Sequence, residues 1–150
     1  MGITDYMKKA AERMKARTVS TPEPMEMDYD PGQLSKHFHE DEFRCRCCGE
    51  LHPSGVPAAL VNELEAVRKY FGKPVKINSG YRCPTHNKNV GGAKRSQHLL
   101  GIAADHYIPG VPAHKVHAFH ASRGIVGGLG KYNSFTHIDV RPGHARWDRT

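Results

Sequence analysis

The stretch SQHLLGIAADHY, residues 96–107, places His98 and Asp105 seven positions apart with mainly small or apolar residues between them. A third candidate, His137, lies further along the chain in FTHIDVR. Two histidines and one carboxylate from separate segments form a ligand set of catalytic zinc sites, in which a fourth position stays open for water. Zinc lowers the pKa of that water towards about 7 and polarises a carbonyl. Because the chain has 11 histidines, a coincidental His and Asp pair is the competing interpretation.

Two predicted strands would position these side chains. In FTHIDVR, strand alternation puts the ionisable residues on one face and Ile138 on the other; the ionisable set is His137, Asp139 and Arg141. In GIAADHYI, residues 101–108, the same alternation puts Asp105 on the face of the small Ala103, which leaves space beside the carboxylate. A turn at Gly101 would bring His98 back over this strand.

The remaining pattern predicts an α+β fold: a single domain with a small, mostly antiparallel sheet flanked by helices. Residues 57–72 and 112–124 each begin with proline and end with glycine around apolar residues at helical spacing, so both predict helices. PVKIN, residues 74–78, predicts a further strand. The stretches 79–96 and 124–134 are rich in turn-forming residues and are predicted as turns.

The first 33 residues are predicted to be separate from the compact domain. Residues 4–17 can form a basic amphipathic helix, and the prolines and acids of residues 18–33 predict a linker or a tail. The domain is therefore predicted over residues 34–150. No apolar run approaches the roughly 20 residues that span a membrane, and the N-terminus lacks the apolar core of a secretory signal.

The charge balance favours an anionic partner. With 22 basic and 15 acidic residues, the net charge of +7 suits nucleic acid, acidic lipid or an anionic cell wall. The sequence has no nucleic-acid-binding signature, so we do not expect a nucleic acid partner.

A longer pattern extends the opening pair. Its form is S-x-H-x-x-G-x-A-x-D, carried by Ser96, His98, Gly101, Ala103 and Asp105. It resembles the signature of the zinc D-alanyl-D-alanine carboxypeptidase family of peptidoglycan peptidases, whose fold the hedgehog signalling domain also resembles. The resemblance continues in KPVKINSGYRCPTHN and FTHIDVRPGHARW and covers roughly residues 34–147. It implies one catalytic zinc ion, with His98, Asp105 and His137 as its ligands.

The resemblance also implies roles around the metal. Arg82 matches the family arginine that binds substrate or stabilises the charged intermediate, since a guanidinium donates paired hydrogen bonds to an oxyanion or carboxylate. Its alternative is a plain surface arginine. Many relatives carry an acid three positions before the last zinc histidine, but this chain has Ser134, which cannot accept a proton from water at neutral pH. Asp139 is predicted as the base; alternatively it orients a ligand histidine, pairs with Arg141, or exchanges with His137 as a ligand.

Three further residues are candidates for substrate binding. Ser96 can hydrogen-bond near the metal, although loop serines more often bond local backbone. Tyr81 and Tyr132 can line a groove, although an aromatic residue beside glycine is usually a packing residue. His114, His117 and His120 recur every three residues of a predicted helix, and we interpret them as solvated or capping histidines.

Four cysteines remain: Cys45, Cys47, Cys48 and Cys83. Cys45 and Cys48 form one C-x-x-C pair, but no second pair exists. A structural zinc site completed by the other cysteines or by His52, a disulfide from Cys83 to the 45–48 segment, and reduced thiols all stay open. A second zinc ion is not the expected outcome.

The sequence thus predicts a zinc metallopeptidase that cuts the peptide stems of bacterial peptidoglycan, as a D-Ala-D-Ala carboxypeptidase or related endopeptidase. We expect a monomer, made in the cytoplasm without a signal peptide, that acts at the cell wall. Release by a phage or inclusion in a virion would make it an endolysin or a tail-associated wall hydrolase. The alternatives are a non-catalytic zinc-binding domain of the same fold that binds cell wall or protein, and a cysteine-zinc interaction module.

Overall fold

The computed structural model describes residues 30–150, of which Gly32–Thr150 form one compact unit. The predicted basic helix at residues 4–17 and most of the predicted linker at 18–33 lie outside the described residues. Within the described range, no helix combines the length and apolar character that crossing a membrane requires.

Three α-helices occur among the described residues: α1 (Ala58–Phe71), α2 (Pro84–Asn89) and α3 (Ala113–Ser122). Helices α1 and α3 confirm the two predicted helices within two residues at each end. Helix α1 ends at Gly72, whose φ of 63° is the left-handed conformation that glycine adopts without strain. Two short 3-10 helices, Glu40–Phe43 and Gln97–Leu100, lie in the connecting segments.

The sheet has five strands: β1 (Lys76–Ser79), β2 (Ala103–Tyr107), β3 (Gly127–Lys131), β4 (Thr136–Asp139) and β5 (His144–Asp148). Their order is β1-β2-β4-β3-β5. Three neighbouring pairs are antiparallel, and β3 with β5 is parallel. This arrangement confirms the prediction of an α+β domain with a mostly antiparallel sheet.

The prediction of a turn over residues 124–134 is wrong in its central part, because Gly127–Lys131 form strand β3. The glycines serve packing here. A Cβ at Gly128 would collide with the Asp139 carboxylate, and a Cβ at Gly130 would collide with the Trp147 ring. Strand β5 was not predicted, and helix α2 lies inside the stretch predicted as turns, beginning with Pro84 in its first turn.

The two faces of the sheet differ in character. Apolar residues of the strands pack with the helices in one core cluster that includes Ala104, Leu129, Ile138, Leu60, Leu64 and Val116. The other face of β2 and β4 carries the buried polar residues Asp105, His137 and Asp139, and the strand register pairs Asp105 with His137. The predicted alternation of FTHIDVR is therefore confirmed, and it provides a polar face that carries the candidate site.

Candidate metal centre

His98 is held by its local backbone in one orientation. It lies in the 3-10 helix that Ser96 caps, and the left-handed Gly101 ends that helix. Its ring Nδ1 lies 2.7 Å from the carbonyl oxygen of Gly80. A carbonyl can only accept, so Nδ1 carries a proton, and in the neutral ring Nε2 presents a lone pair.

Strands β2 and β4 bring a carboxylate and a second imidazole to the same place. His137 Nδ1 lies 2.8 Å from Asp105 Oδ1, and His137 Nε2 lies 2.8 Å from Asp139 Oδ2. The ligand atoms of His98, Asp105 and His137 all lie within 4.8 Å of one another, and all three residues are buried. The three residues predicted from separate segments therefore converge.

The buried Nε2 atom of His98 tests whether these residues fit a metal. It forms no hydrogen bond with any group in the described part of the chain. It lies 3.2 Å from Asp105 Oδ2, which is close enough for an ion pair only if the ring is protonated. In a neutral His98 ring the Nε2 lone pair faces a carboxylate, which is unfavourable unless a cation, a proton or a metal ion, lies between them. Two imidazoles and a carboxylate suit one zinc ion.

The charges in the cluster also favour a cation. Burial opposes ionisation of Asp105, but the hydrogen bond with His137 and the closeness of the His98 ring outweigh it and hold the pKa of Asp105 well below its usual range. Burial would lower the pKa of His137, but the carboxylates of Asp105 and Asp139 raise it overall. Two carboxylates around one imidazole therefore stabilise positive charge here, which a metal ion can supply.

Asp139 lies behind His137, away from the groove, and is 1% exposed. Its Oδ1 accepts from the Gly128 backbone N–H at 2.9 Å and from Arg141 Nε at 2.8 Å. Its Oδ2 accepts from Arg141 Nη2 at 2.7 Å and from His137 Nε2. Despite burial, the bonds from Arg141 and His137 hold the pKa of Asp139 well below its usual range. This geometry favours the alternatives in which Asp139 orients His137 and pairs with Arg141.

Arg82 is a fixed part of the cluster. Its Nη2 donates to Asp105 Oδ2 at 3.1 Å, and its Nε donates to Ser79 Oγ at 2.9 Å. The side chain is 14% exposed and lines the groove above the metal ligands. The alternative of a plain surface arginine does not describe this environment.

The cluster opens into a groove with a volume of about 800 Å³. One group of lining residues is aromatic: Tyr132, Phe135 and Trp147. The Trp147 ring lies 4.9 Å from the His137 ring. Arg95, Arg141 and Arg149 also line the groove and give it positive charge. Trp147 was not predicted as a groove residue. The signal that the sequence offered for it is that Trp147 is the only tryptophan of the chain.

The predicted substrate-binding residues have different positions. Ser96 lines the groove, and its Oγ accepts from the His98 backbone N–H at 3.2 Å, which is the local bonding named as its alternative. Tyr132 lines the groove and accepts a hydrogen bond from Trp147 Nε1 at 3.0 Å. Tyr81 is not among the groove residues; its ring packs edge-on against His52 at 5.6 Å. Ser134 is exposed in the turn before β4.

The fold and the site define a domain with an open metal centre at the base of a groove, which is a hydrolase-like arrangement. The family model described as Peptidase M15 matches residues 36–139, and the chain belongs to this family.

Two curated proteins are similar to this chain. The zinc D-Ala-D-Ala carboxypeptidase of Streptomyces albus G is 50% identical over 44 residues, which are 29% of this chain and 17% of that protein. The peptidoglycan L,D-endopeptidase MepK of Escherichia coli K12 is 31% identical over 125 residues, which are 76% of this chain and 65% of that protein. The chain thus spans less than two thirds of the length of these curated relatives.

Proposed function

We propose that this protein is a zinc-dependent peptidase that hydrolyses an amide bond in the peptide stems of bacterial peptidoglycan. The observation that carries the proposal is the open cluster of His98, Asp105 and His137, in which the His98 lone pair faces a carboxylate at 3.2 Å. Similarity to a peptidoglycan endopeptidase over 125 residues supports the substrate class.

The residues of the site have separable tasks. When bound, zinc supplies an activated water and a Lewis acid for the scissile carbonyl. His98 and His137 provide imidazole lone pairs, and the Gly80 carbonyl and the Asp139 carboxylate fix their rings. Asp139 is thus a positioning residue in this proposal, because its lone pairs are occupied by Arg141, His137 and the Gly128 N–H.

The groove suits a substrate with carboxylates. Peptide stems end in carboxylates and carry others along their length, and a guanidinium binds a carboxylate through paired hydrogen bonds. Arg82 lies closest to the metal ligands, whereas Arg95 is an exposed residue at the groove. We assign Arg82 to substrate charge near the reacting bond and Arg95 to a more distant carboxylate. The aromatic residues offer apolar surface for the stem's methyl groups and methylenes.

A second candidate function has its own supporting observation. Among the described residues that line the groove, Asp105 is the only carboxylate. Ser134 occupies the position of the expected acid, and Asp139 is saturated. A domain without a free base in its groove suits a zinc-dependent binding module that recognises peptidoglycan without cutting it.

Digestion of purified peptidoglycan, analysed by mass spectrometry, tests both candidates. We expect the zinc-loaded wild type to release stem-peptide fragments whose masses identify the bond, and His98→Ala to release none. His114→Ala is the matched control, because this histidine is exposed on α3. Sedimentation with insoluble peptidoglycan without any fragments would instead support the binding module, and neither cutting nor binding would refute both.

We also propose that the protein acts at the cell wall in a phage or prophage context, as a lysis enzyme or a tail-associated hydrolase. The net charge of +7 supports attraction to anionic wall polymers. Protein added to cells with exposed walls is expected to clear the suspension, and the clearing should weaken as salt screens the charges. Clearing that does not depend on salt would contradict the electrostatic part.

A further inference from the structure

Three of the four cysteines converge on one place although two distant segments carry them. The Sγ atoms of Cys45, Cys48 and Cys83 lie within 4.8 Å of one another, and none of the four cysteines is in a disulfide. Cys47 lies between Cys45 and Cys48 in the first of these segments, and its side chain is exposed. This cysteine cluster is separate from the groove, since none of its members lines it.

The first segment is a tight turn that folds back on itself. The Cys45 N–H donates to the Glu50 carbonyl at 2.9 Å, and the Gly49 N–H donates to the Cys45 carbonyl at 2.9 Å. Gly49 has a φ of 74°, the left-handed conformation that closes such a turn. The turn therefore presents Cys45 and Cys48 on the same side.

The sulfur atoms accept backbone hydrogen bonds. The Cys83 N–H donates to Cys45 Sγ at 3.4 Å. Cys83 precedes α2, and its Sγ accepts from the His86 N–H at 3.4 Å. Backbone N–H groups directed at sulfur stabilise a thiolate, which is the form that binds a metal.

We propose that Cys45, Cys48 and Cys83 bind a structural zinc ion, with Cys47 as the fourth ligand. Structural zinc sites are closed and tetrahedral, with Zn–S distances near 2.3 Å, which places sulfurs about 3.8 Å apart. The observed spread of up to 4.8 Å needs only a small contraction to reach that geometry. A disulfide would pair two of the three converging sulfurs and leave the third without a reason to lie beside them.

This ion would brace the segment that shapes the catalytic cluster. The Tyr81 N–H donates to the Phe43 carbonyl at 2.9 Å, and the Arg82 N–H donates to the His98 carbonyl at 3.1 Å. Gly80 approaches Phe43 so closely that a Cβ would collide with the Phe43 backbone. Residues 79–83 thus lie between the cysteine turn and His98, so a link from Cys83 to the turn would hold Arg82 in place.

Metal content separates the two sites. After purification under reducing conditions and dialysis, we expect two zinc ions per wild-type chain, one in Cys48→Ser, one in His98→Ala and none in the double variant. Replacing zinc with cobalt should give a thiolate-to-cobalt charge-transfer band in His98→Ala that Cys48→Ser lacks. One zinc in wild type that Cys48→Ser retains would overturn the proposal.

Two further measurements keep the test decisive if a cysteine variant fails to fold. A chelator should release zinc from the wild type together with four newly reactive thiols, and a disulfide detected in the unreduced, unfolded chain would contradict the site. Cys47→Ser should bind the second zinc more weakly than the wild type, and unchanged affinity would exclude Cys47 as a ligand. The outcome is independent of peptidase activity, because an inactive protein with two zinc ions would refute only the proposed function.

Discussion

Asp105 and His106 are neighbours on β2 but belong to two different polar networks on opposite faces of the sheet. The Asp105 network contains His98 and His137 and opens to the groove. In the His106 network, both histidines are fully buried in the core. His106 Nε2 lies 2.8 Å from His120 Nε2, and His120 Nδ1 lies 2.8 Å from Glu63 Oε1. Each network holds two histidines next to a carboxylate and an arginine, and the groove network adds a second such pair, Asp139 with Arg141, behind His137.

The two networks differ in where their protons lie. In the core, the Glu63 carboxylate accepts from His120 Nδ1–H, and the contact between His120 Nε2 and His106 Nε2 needs one proton, carried by either of the two nitrogens. Burial, followed by the nearby His120, lowers the pKa of His106, which keeps that ring neutral. Donors and acceptors therefore alternate. In the groove, the Gly80 contact uses the only proton of a neutral His98, so lone pairs converge, and convergent lone pairs are what a metal requires.

The substitution with the largest expected effect removes a histidine from the groove network. His98→Ala should lose zinc from that site and reduce peptidoglycan cleavage on the order of 1000-fold. A catalytic metal lowers the activation free energy by several kcal/mol, and each roughly 1.4 kcal/mol changes the rate tenfold. The zinc-loaded wild type and His120→Ala serve as comparisons in the same assay. If His120→Ala lost as much activity at equal folded fraction, the two networks would not be functionally distinct.

The substitution with the second largest expected effect removes a histidine from the core network. His120→Ala should lower the free energy of unfolding by about 2–4 kcal/mol, since it opens a cavity and leaves His106 and Glu63 without their partner. Urea unfolding of the folded protein measures this loss. His114→Ala, on the exposed side of the same helix, should change it by less than about 0.5 kcal/mol. Zinc content at the groove should stay unchanged in both variants.

The third effect distinguishes the roles of Asp139. Asp139→Asn keeps the side-chain shape but weakens the acceptor for His137 Nε2, so zinc affinity and cleavage should each fall about 10- to 100-fold. Competition with a chelator measures the affinity. Excess zinc should restore most of the activity. Activity that stays lost at saturating zinc would restore the prediction that Asp139 is the base.

Strand periodicity could be predicted from the sequence because it is local. The alternation in FTHIDVR correctly put His137 and Asp139 on one face. The spacing of His98 and Asp105 alone left a coincidental pair open, and it was the family resemblance of the longer motif that joined the two residues, which the structure brings together. Strand β3 could not be predicted in this way. From the local sequence its glycines predict a turn. The reason for glycine is non-local, because the Asp139 carboxylate and the Trp147 ring occupy the space where side chains at Gly128 and Gly130 would be.

His120 shows the same limit. Its spacing with His114 and His117 suggested a solvated or capping histidine, and that interpretation is wrong for His120, which is fully buried. The reason is non-local, because Glu63 lies 57 positions earlier in the chain and supplies the acceptor that makes burial of the imidazole tolerable. The saturation of Asp139 likewise depends on the Gly128 N–H from another strand, which no spacing rule reveals.

The smallest expected effect concerns the pH dependence of the core network. Burial opposes ionisation of Glu63, but hydrogen bonds from His120 and Arg123 outweigh it and lower its pKa. A carboxylate with a depressed folded-state pKa stabilises the protein above its unfolded pKa of about 4.3, and this contribution is lost as the pH falls through the folded value. The free energies of unfolding of the wild type and Glu63→Gln, measured in urea, should therefore differ most near pH 6 and converge towards pH 3. Because both proteins carry the same metal ligands, acid release of zinc cancels in the difference. A gap that stays constant with pH would mean that Glu63 stabilises the core by packing rather than by its charge.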